Sequence, residues 1–185
     1  GIATAYNRFY IMPEVYSVLP TSGTVGTIVT VSGTGYDAND NITVTFGTNA
    51  NIQTAVASVY GSFTTAWTVD TQVYGTTTIA AIGIATAYNR FYILPEVYSV
   101  VPTLGTVGTM VTIQGTGYGA NDNITVSFGT NANIQTAVAS VYGSFTAVWT
   151  VDTQSYGTTT IAAIGIATAS NRFYILPEVY SVLPT

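Results

Sequence analysis

One phrase is written three times along this chain. Residues 1–21 read GIATAYNRFYIMPEVYSVLPT, and nearly the same wording returns from Gly83 and again from Gly165. The interval is 82 residues each time. Only 11 positions differ between residues 1–82 and 83–164, among them Met12/Leu94, Ser22/Leu104, Asp37/Gly119, Thr45/Ser127 and Val73/Ser155. Solenoid repeats are shorter, roughly 20 to 50 residues, so this period predicts a modular array with one small self-contained domain per unit.

Inside a unit the pattern is strand after strand. Ile42, Val44 and Phe46 alternate with Thr43 and Thr45, the period of two expected of a half-buried strand. Val29, Val31, Phe63, Trp67, Val69, Ile79 and Ala81 supply further core candidates. The breaks are rich in Gly and Asn and fall at Ser22-Gly23, Gly33 to Gly35, Asn39 to Asn41, Gly47 to Asn51, Tyr60-Gly61 and Tyr74-Gly75. β-branched and aromatic residues fill the runs between them, and no stretch carries a helical period. The expectation is all-β: tandem immunoglobulin-like antiparallel sandwiches of about seven strands each. Phe46, Phe63 and Trp67, with Phe128, Phe145 and Trp149 in the second unit, are the expected core anchors.

Composition narrows the chemistry. Charged residues are 6% of the chain, against about 25% in an ordinary soluble domain, so Thr, Ser, Asn and Tyr must cover the surface. Arg8, Arg90 and Arg172 are the only cations, there is no Lys or His, and the net charge is −5. Nucleic acid is therefore a poor partner, because phosphate binding needs clustered basic side chains. Thr or Gly interrupts every apolar run, which excludes a spanning helix of about 20 apolar residues, and no membrane insertion is expected. The chain opens at Gly1 directly in strand-like sequence, so any targeting leader is expected to have been removed or to lie outside it. Without cysteine there is neither a disulfide framework nor thiol chemistry.

The stretch PEVYSVLPTSGTVGTIVTVSGTGYDANDNITVTFG, Pro13 to Gly47, resembles the immunoglobulin-like repeats of IPT/TIG type found in tandem on bacterial and archaeal surface proteins. GSFTTAWTVD and YGTTTIAAIGIATAYNRFYI resemble the later strands of the same repeat. The resemblance implies that a unit starts at its proline-flanked first strand. Residues 13–94 and 95–176 are then two Ig-like repeats, 1–12 is the last strand of a preceding repeat, and 177–185 is the first strand of a following one. It implies an extracellular or cell-surface setting and no particular ligand.

Unpaired apolar strands expose a hydrogen-bonding edge, so both ends should find partners. Phe9, Tyr10 and Ile11, with Tyr6 beside them, and Val179, Tyr180 and Val182 are the expected assembly strands. Two arrangements would pair them: a longer covalent tandem chain, or separate subunits exchanging end strands. Either way the expected partners are copies of itself in a linear polymer or tandem chain. Ile93-Leu94-Pro95-Glu96 joins successive units without a Gly/Ser linker, and proline restricts its own φ and the residue before it. Stiff coupling is expected, with each unit advancing roughly 30 to 40 Å at about 3.3 Å per strand residue.

Candidate sites are few. Glu14, Asp37, Asp40 and Asp70 are the acids of the first unit, none in a recognisable catalytic motif, and the chain is read as non-enzymatic with no cofactor. Asp37-Ala38-Asn39-Asp40-Asn41 matches the start of a calcium loop but lacks the sixth-position Gly and the distal Glu. The second unit has Gly119 in place of Asp37. We read the segment as a turn, with calcium as the rival. Asn41-Ile42-Thr43 and Asn123-Ile124-Thr125 are N-glycosylation acceptor sequences, and glycan there would keep so uncharged a surface soluble. In the last strand Tyr6, Arg8 and Tyr10 share one face, as do Tyr88, Arg90 and Tyr92. This Tyr/Arg stripe is either exposed and able to stack on surface glycans, or packed along an edge. The functional expectation is a stiff spacer or scaffold within an extracellular filament, stalk or surface layer. The alternative is an adhesin or carbohydrate-binding module using the Tyr-rich face.

Overall fold

A computed structural model describes residue 7 and residues 9–179 of the 185-residue chain. All of its regular elements among those residues are strands. By proximity the chain divides into two compact units, one built on Ile28–Trp67 and Thr77–Phe91, the other on Ser22–Thr27, Thr68–Thr76 and the residues from Tyr92 on. Strand pairing follows the sequence repeat instead, and each resulting sandwich is described by itself.

In the first sandwich the strands are β1 (Glu14–Leu19), β2 (Ser22–Gly23), β3 (Ile28–Thr34), β4 (Asn41–Phe46), β5 (Asn49–Val56), β6 (Phe63–Thr68), β7 (Gly75–Ile82) and β8 (Thr86–Ile93). They form a three-stranded sheet in the order β1-β3-β6 and a five-stranded sheet in the order β2-β8-β7-β4-β5. The second sandwich repeats this with β9 (Glu96–Val101), β10 (Leu104–Gly105), β11 (Met110–Thr116), β12 (Asn123–Phe128), β13 (Asn131–Val138), β14 (Phe145–Thr150), β15 (Gly157–Ile164) and β16 (Thr168–Ile175). Its sheets are β14-β11-β9 and β10-β16-β15-β12-β13.

The count is eight strands per sandwich rather than about seven, and one pairing departs from the antiparallel rule. Ser22-Gly23, read from sequence as a break, is a two-residue strand running parallel to Tyr92-Ile93, and Leu104-Gly105 runs parallel to Tyr174-Ile175. This is where the chain leaves the first sheet and touches the edge of the second before turning into the next strand. So short a contact leaves no sequence period. Asn49 and Asn51, also read as part of a break, lie in β5, so the hairpin there is only Gly47-Thr48.

The core forms where the alternation predicts it. Val29, Val31, Phe46, Phe63, Trp67, Val69, Ile79 and Ala81 are all buried, as are Phe128, Phe145 and Trp149. Phe46 meets Trp67 and Phe91 edge-on, each at 5.7 Å between ring centres, and Phe128 meets Trp149 at 5.7 Å and Phe173 at 5.6 Å. Such geometry sets the positive ring edge against the negative face of its neighbour. Gly33 must be glycine, because a Cβ there would run into the Phe63 ring and the Glu14 carbonyl; Gly115 stands in the same relation to Phe145 and Glu96.

On the open flank a glutamine links the sheets. Gln53 on β5 donates Nε2 to the Ala66 carbonyl of β6 at 3.0 Å, and its Oε1 accepts the Thr54 amide at 3.0 Å. Gln135 repeats both bonds, to Val148 and from Thr136.

Strands were expected at both ends of the chain. Residues 1–6, 8 and 180–185 lie outside the described residues, and with them Tyr6, Arg8, Tyr180 and Val182. Residues 9–12 and 177–179 are described and run without strand pairing. A strand needs a neighbouring edge to satisfy its backbone groups.

Candidate functional site

The outward face of β8 carries the Tyr/Arg stripe. Its alternation turns Ala87, Phe91 and Ile93 inward, leaving Thr86, Tyr88, Arg90 and Tyr92 exposed. Asn89 fixes this register by donating Nδ2 to the Val15 carbonyl of the facing sheet at 2.8 Å, while its Oδ1 accepts the Arg90 amide at 2.8 Å. At the end of the stripe the Tyr92 hydroxyl donates to the Tyr74 hydroxyl at 2.7 Å, with the rings edge-to-face at 5.5 Å. Losing the Tyr92 proton would lose that bond, which raises its pKa above the usual tyrosine value; burial and the Tyr74 charge add to the effect. Tyr174 and Tyr156 form the same pair at 2.7 Å, with the Tyr174 pKa raised for the same reasons.

The second sandwich has Ser170 where the first has Tyr88, so its stripe is Ser170, Arg172 and Tyr174. Ala162 lies directly opposite Ser170 in the sheet and is half-buried, whereas its counterpart Ala80 is buried. That is the difference expected when a hydroxymethyl group replaces a phenol ring.

A second cluster gathers three loops at one end of each sandwich. Tyr36 is buried: its hydroxyl donates to the Ala81 carbonyl at 2.9 Å, and its backbone amide donates to the Gly61 carbonyl at 3.1 Å. Gly61 has φ +73°, and a Cβ there would strike the Tyr36 carbonyl. The Asp40 carboxylate accepts the Ile84 amide at 2.8 Å, its carbonyl accepts the Ala57 amide at 2.8 Å, and Asn39 takes a left-handed φ of 61°. The calcium-like run is thus a turn whose carboxylate braces the neighbouring loop. Asp122 does the same for Ile166 at 2.7 Å.

Burial raises the Tyr36 pKa, with the Asp40 charge adding to it. Tyr118, the counterpart in the second sandwich, is pushed up to about 12, again chiefly by burial, with the Asp122 charge adding. Two further loop acids are tied to amides: Asp70 accepts Gln72 Nε2, and Asp152 accepts Gln154 Nε2 and Asn131 Nδ2. Among the described residues no three His, Cys, Asp or Glu side chains gather as a metal site.

The structure does not bring all the sequence-picked residues together. Phe46, Phe63, Trp67, Phe128, Phe145 and Trp149 are buried, and Asn41 and Asn123 are exposed at the first positions of β4 and β12. Phe9, Tyr10, Ile11 and Val179 are exposed. Sequence reasoning missed the Tyr74–Tyr92 pair and the buried tyrosines Tyr36 and Tyr118. The pair joins a turn to a strand 18 positions on, which no local period encodes. Tyr36 did carry a signal, a lone aromatic between Gly35 and the Asp37–Asn41 turn.

Strand order, the two-sheet core and the end-clustered loops define a tandem immunoglobulin-like β-sandwich protein. Residues 13–81 match the model of the IPT/TIG domain, and the second sandwich repeats the first with 11 substitutions in 82 positions. No curated protein matches the chain. Among solved structures, the adhesin InvE of Yersinia pseudotuberculosis shares 12% identity at a TM-score of 0.39, covering 89% of this chain and 58% of that one. Invasin, a bacterial integrin-binding protein, shares 16% at 0.40, covering 88% and 39%. SGBP-B from a xyloglucan utilization locus of Bacteroides uniformis shares 17% at 0.35, covering 88% and 49%. The chain therefore spans well under two thirds of the length of each, and likeness at these scores carries no weight on ligand or role.

Proposed function

We propose that this chain is a structural segment of an extracellular filament, stalk or surface layer, a stiff scaffold of IPT/TIG-type domains with boundaries at 13–94 and 95–176. The observation that carries the reading is one side chain in three copies. Phe91 and Phe173 are each 1% exposed inside their sandwiches, while Phe9, the same residue of the same phrase, is 90% exposed. Ile11 is 73% exposed against 0% for Ile93 and 2% for Ile175. At about 25 cal/mol per Å² of apolar surface removed from water, a phenylalanine and an isoleucine left in solvent forgo several kcal/mol. In this reading residues 1–12 are the last strand of a further repeat, in a longer tandem chain or in a second copy. Its partners are copies of itself, and its setting is the cell surface.

Intact mass of the native polypeptide after harsh denaturation and chemical deglycosylation, together with electron microscopy of the native material, tests this. A polypeptide well above 19.4 kDa means a covalent array. A mass near that value with filaments visible means strand exchange between subunits. A monomeric particle of that mass would sink the scaffold reading.

The exposed Tyr88, Arg90 and Tyr92, ending in the Tyr92–Tyr74 pair, favour a second reading, an adhesin or carbohydrate-binding module. Aromatic rings on a rigid strand offer flat apolar area with polar tips. Reproducible binding on a glycan array, lost in Tyr88→Ala and Tyr92→Ala, would establish it; silence on the array leaves the scaffold reading in place.

A further inference from the structure

We infer that Asn41 and Asn123 carry N-linked glycans, and that each glycan lies over an uncharged apolar patch that the fold leaves bare beside it. The acceptor sequence alone is common in a Thr- and Asn-rich chain. The argument rests on what surrounds it.

Asn41 opens β4 on the outward face of the five-stranded sheet, exposed, with Thr43 two residues on along the same face. Directly opposite Asn41 across the β4–β5 pair stands Val56, and opposite Thr43 across the β4–β7 pair stands Ile82. Both are exposed. Ile84, also exposed, is held at the same corner by its amide bond to Asp40, the residue before Asn41. Cβ atoms of directly opposed strand residues stand about 5 Å apart, so Val56 is within reach of the first sugar on Asn41 Nδ2. Three exposed aliphatic side chains thus stand near an acceptor amide, in a chain whose charged residues are only 6% of the total and leave little else to keep the surface soluble.

The second sandwich rebuilds the arrangement. Asn123 opposes Val138, Thr125 opposes Ile164, and Ile166 is held by Asp122. Val138, Ile164 and Ile166 are exposed too, and none of the 11 substitutions between the units touches the acceptor or the patch. A pyranose presents C–H groups on one face and hydroxyls on its rim. Seated here, it would cover the aliphatic groups and return a hydrated surface to solvent.

The attachment is a condensation with an activated glycosyl phosphate donor supplied by the cell. A bond forms between Asn41 Nδ2 and the anomeric carbon, the anomeric C–O bond to phosphate breaks, and Nδ2 gives up one proton as the phosphate leaves. The inference needs only that the chain be exported, and its test reads the same whether or not the chain polymerises.

Chymotryptic peptides of the native protein separate the two sites, because Asp37–Phe46 and Gly119–Phe128 differ in sequence. Fragmentation that preserves the glycan is expected to show sugar mass on Asn41 and Asn123. Full recovery of both peptides unmodified, or sugar placed on Thr43 or Thr45 instead, would overturn the proposal. The covering role has its own readout. Asn41→Gln/Asn123→Gln protein from the same source should bind a hydrophobic dye several-fold more strongly, and adding Val56→Thr, Ile82→Thr and Ile84→Thr with their second-unit counterparts should return it to the starting level. Unchanged dye binding in the glycan-free protein would overturn the covering role.

Discussion

The two sandwiches are the same at 71 of 82 positions (82 − 11 = 71), and the places where they differ are instructive. Most of the differences lie where nothing is packed tightly: Leu19/Val101 and Ile28/Met110 are exposed in both copies, and Ser22/Leu104 sits on an exposed edge. Only Val31/Ile113 is fully buried in both. That change does not come alone. Ile113 faces Ala147 directly across β11–β14, and the first sandwich has Thr65 where the second has Ala147. The larger residue in one strand is matched by a smaller one opposite, as close packing requires. The one change buried in both copies is thus accompanied by a change in the residue directly across the sheet.

Each sandwich holds one tryptophan, Trp67 or Trp149, so a Trp→Phe change in one leaves the other as its own reporter. The buried indole N–H of each lacks a hydrogen-bond partner, so little beyond area is lost on replacement. The largest expected effect is from Phe128→Ala, which empties the centre of the Trp149–Phe173 cluster and should cost about 3 to 5 kcal/mol. Phe46→Ala should cost the same in the first sandwich. Denaturant unfolding followed by each tryptophan checks both, and loss of both signals together from one substitution would show that the sandwiches unfold as one.

A smaller separation is expected in alkali. The unfolded Tyr118 ionises near 10, whereas the folded one holds its proton to about 12. Its stabilising contribution is therefore complete below pH 10 and is lost as pH rises through about 12. Denaturation midpoints of the second sandwich should fall across that window, and Tyr118→Phe should flatten the fall. An unaltered slope in that variant would assign the alkaline loss to other tyrosines.

The smallest effect is the most specific to the comparison. Ile113→Val alone should cost about 0.5 to 1.5 kcal/mol. Combined with Ala147→Thr, which recreates the first sandwich's pair, the loss should be less than the sum of the singles by about 0.5 kcal/mol or more. Strict additivity would mean that the two positions drifted independently.

Much of this was legible in the sequence because a period of two survives where one sheet face is buried. Val44 and Phe46 announce themselves against Thr43 and Thr45. Three things were not legible, each because it joins residues that no local rhythm connects. Ser22-Gly23 is too short to alternate, and its partner lies some 70 positions on in β8. The Tyr74–Tyr92 bond links a turn to a strand end. Asp40 was read rightly as a turn residue, but its partner Ile84 is reached only once the loops have gathered. Of the candidate site, alternation put Tyr88, Arg90 and Tyr92 on one face but did not tell an open face from one packed along an edge; the loss of the first ring in the second copy, Ser170, was visible as a substitution but not as a thinner cover over Ala162.

The glutamine bridge on the open flank bears on how a chain written in near-duplicate avoids gluing itself together. Every copy of β5 is a match for every other copy of β4, and an edge amide left open would welcome the wrong one during synthesis or under stress. Gln53 and Gln135 occupy an edge amide from within and bolt it to the opposite sheet. An amide already engaged within its own sandwich is one fewer docking point for a strand of a neighbouring copy.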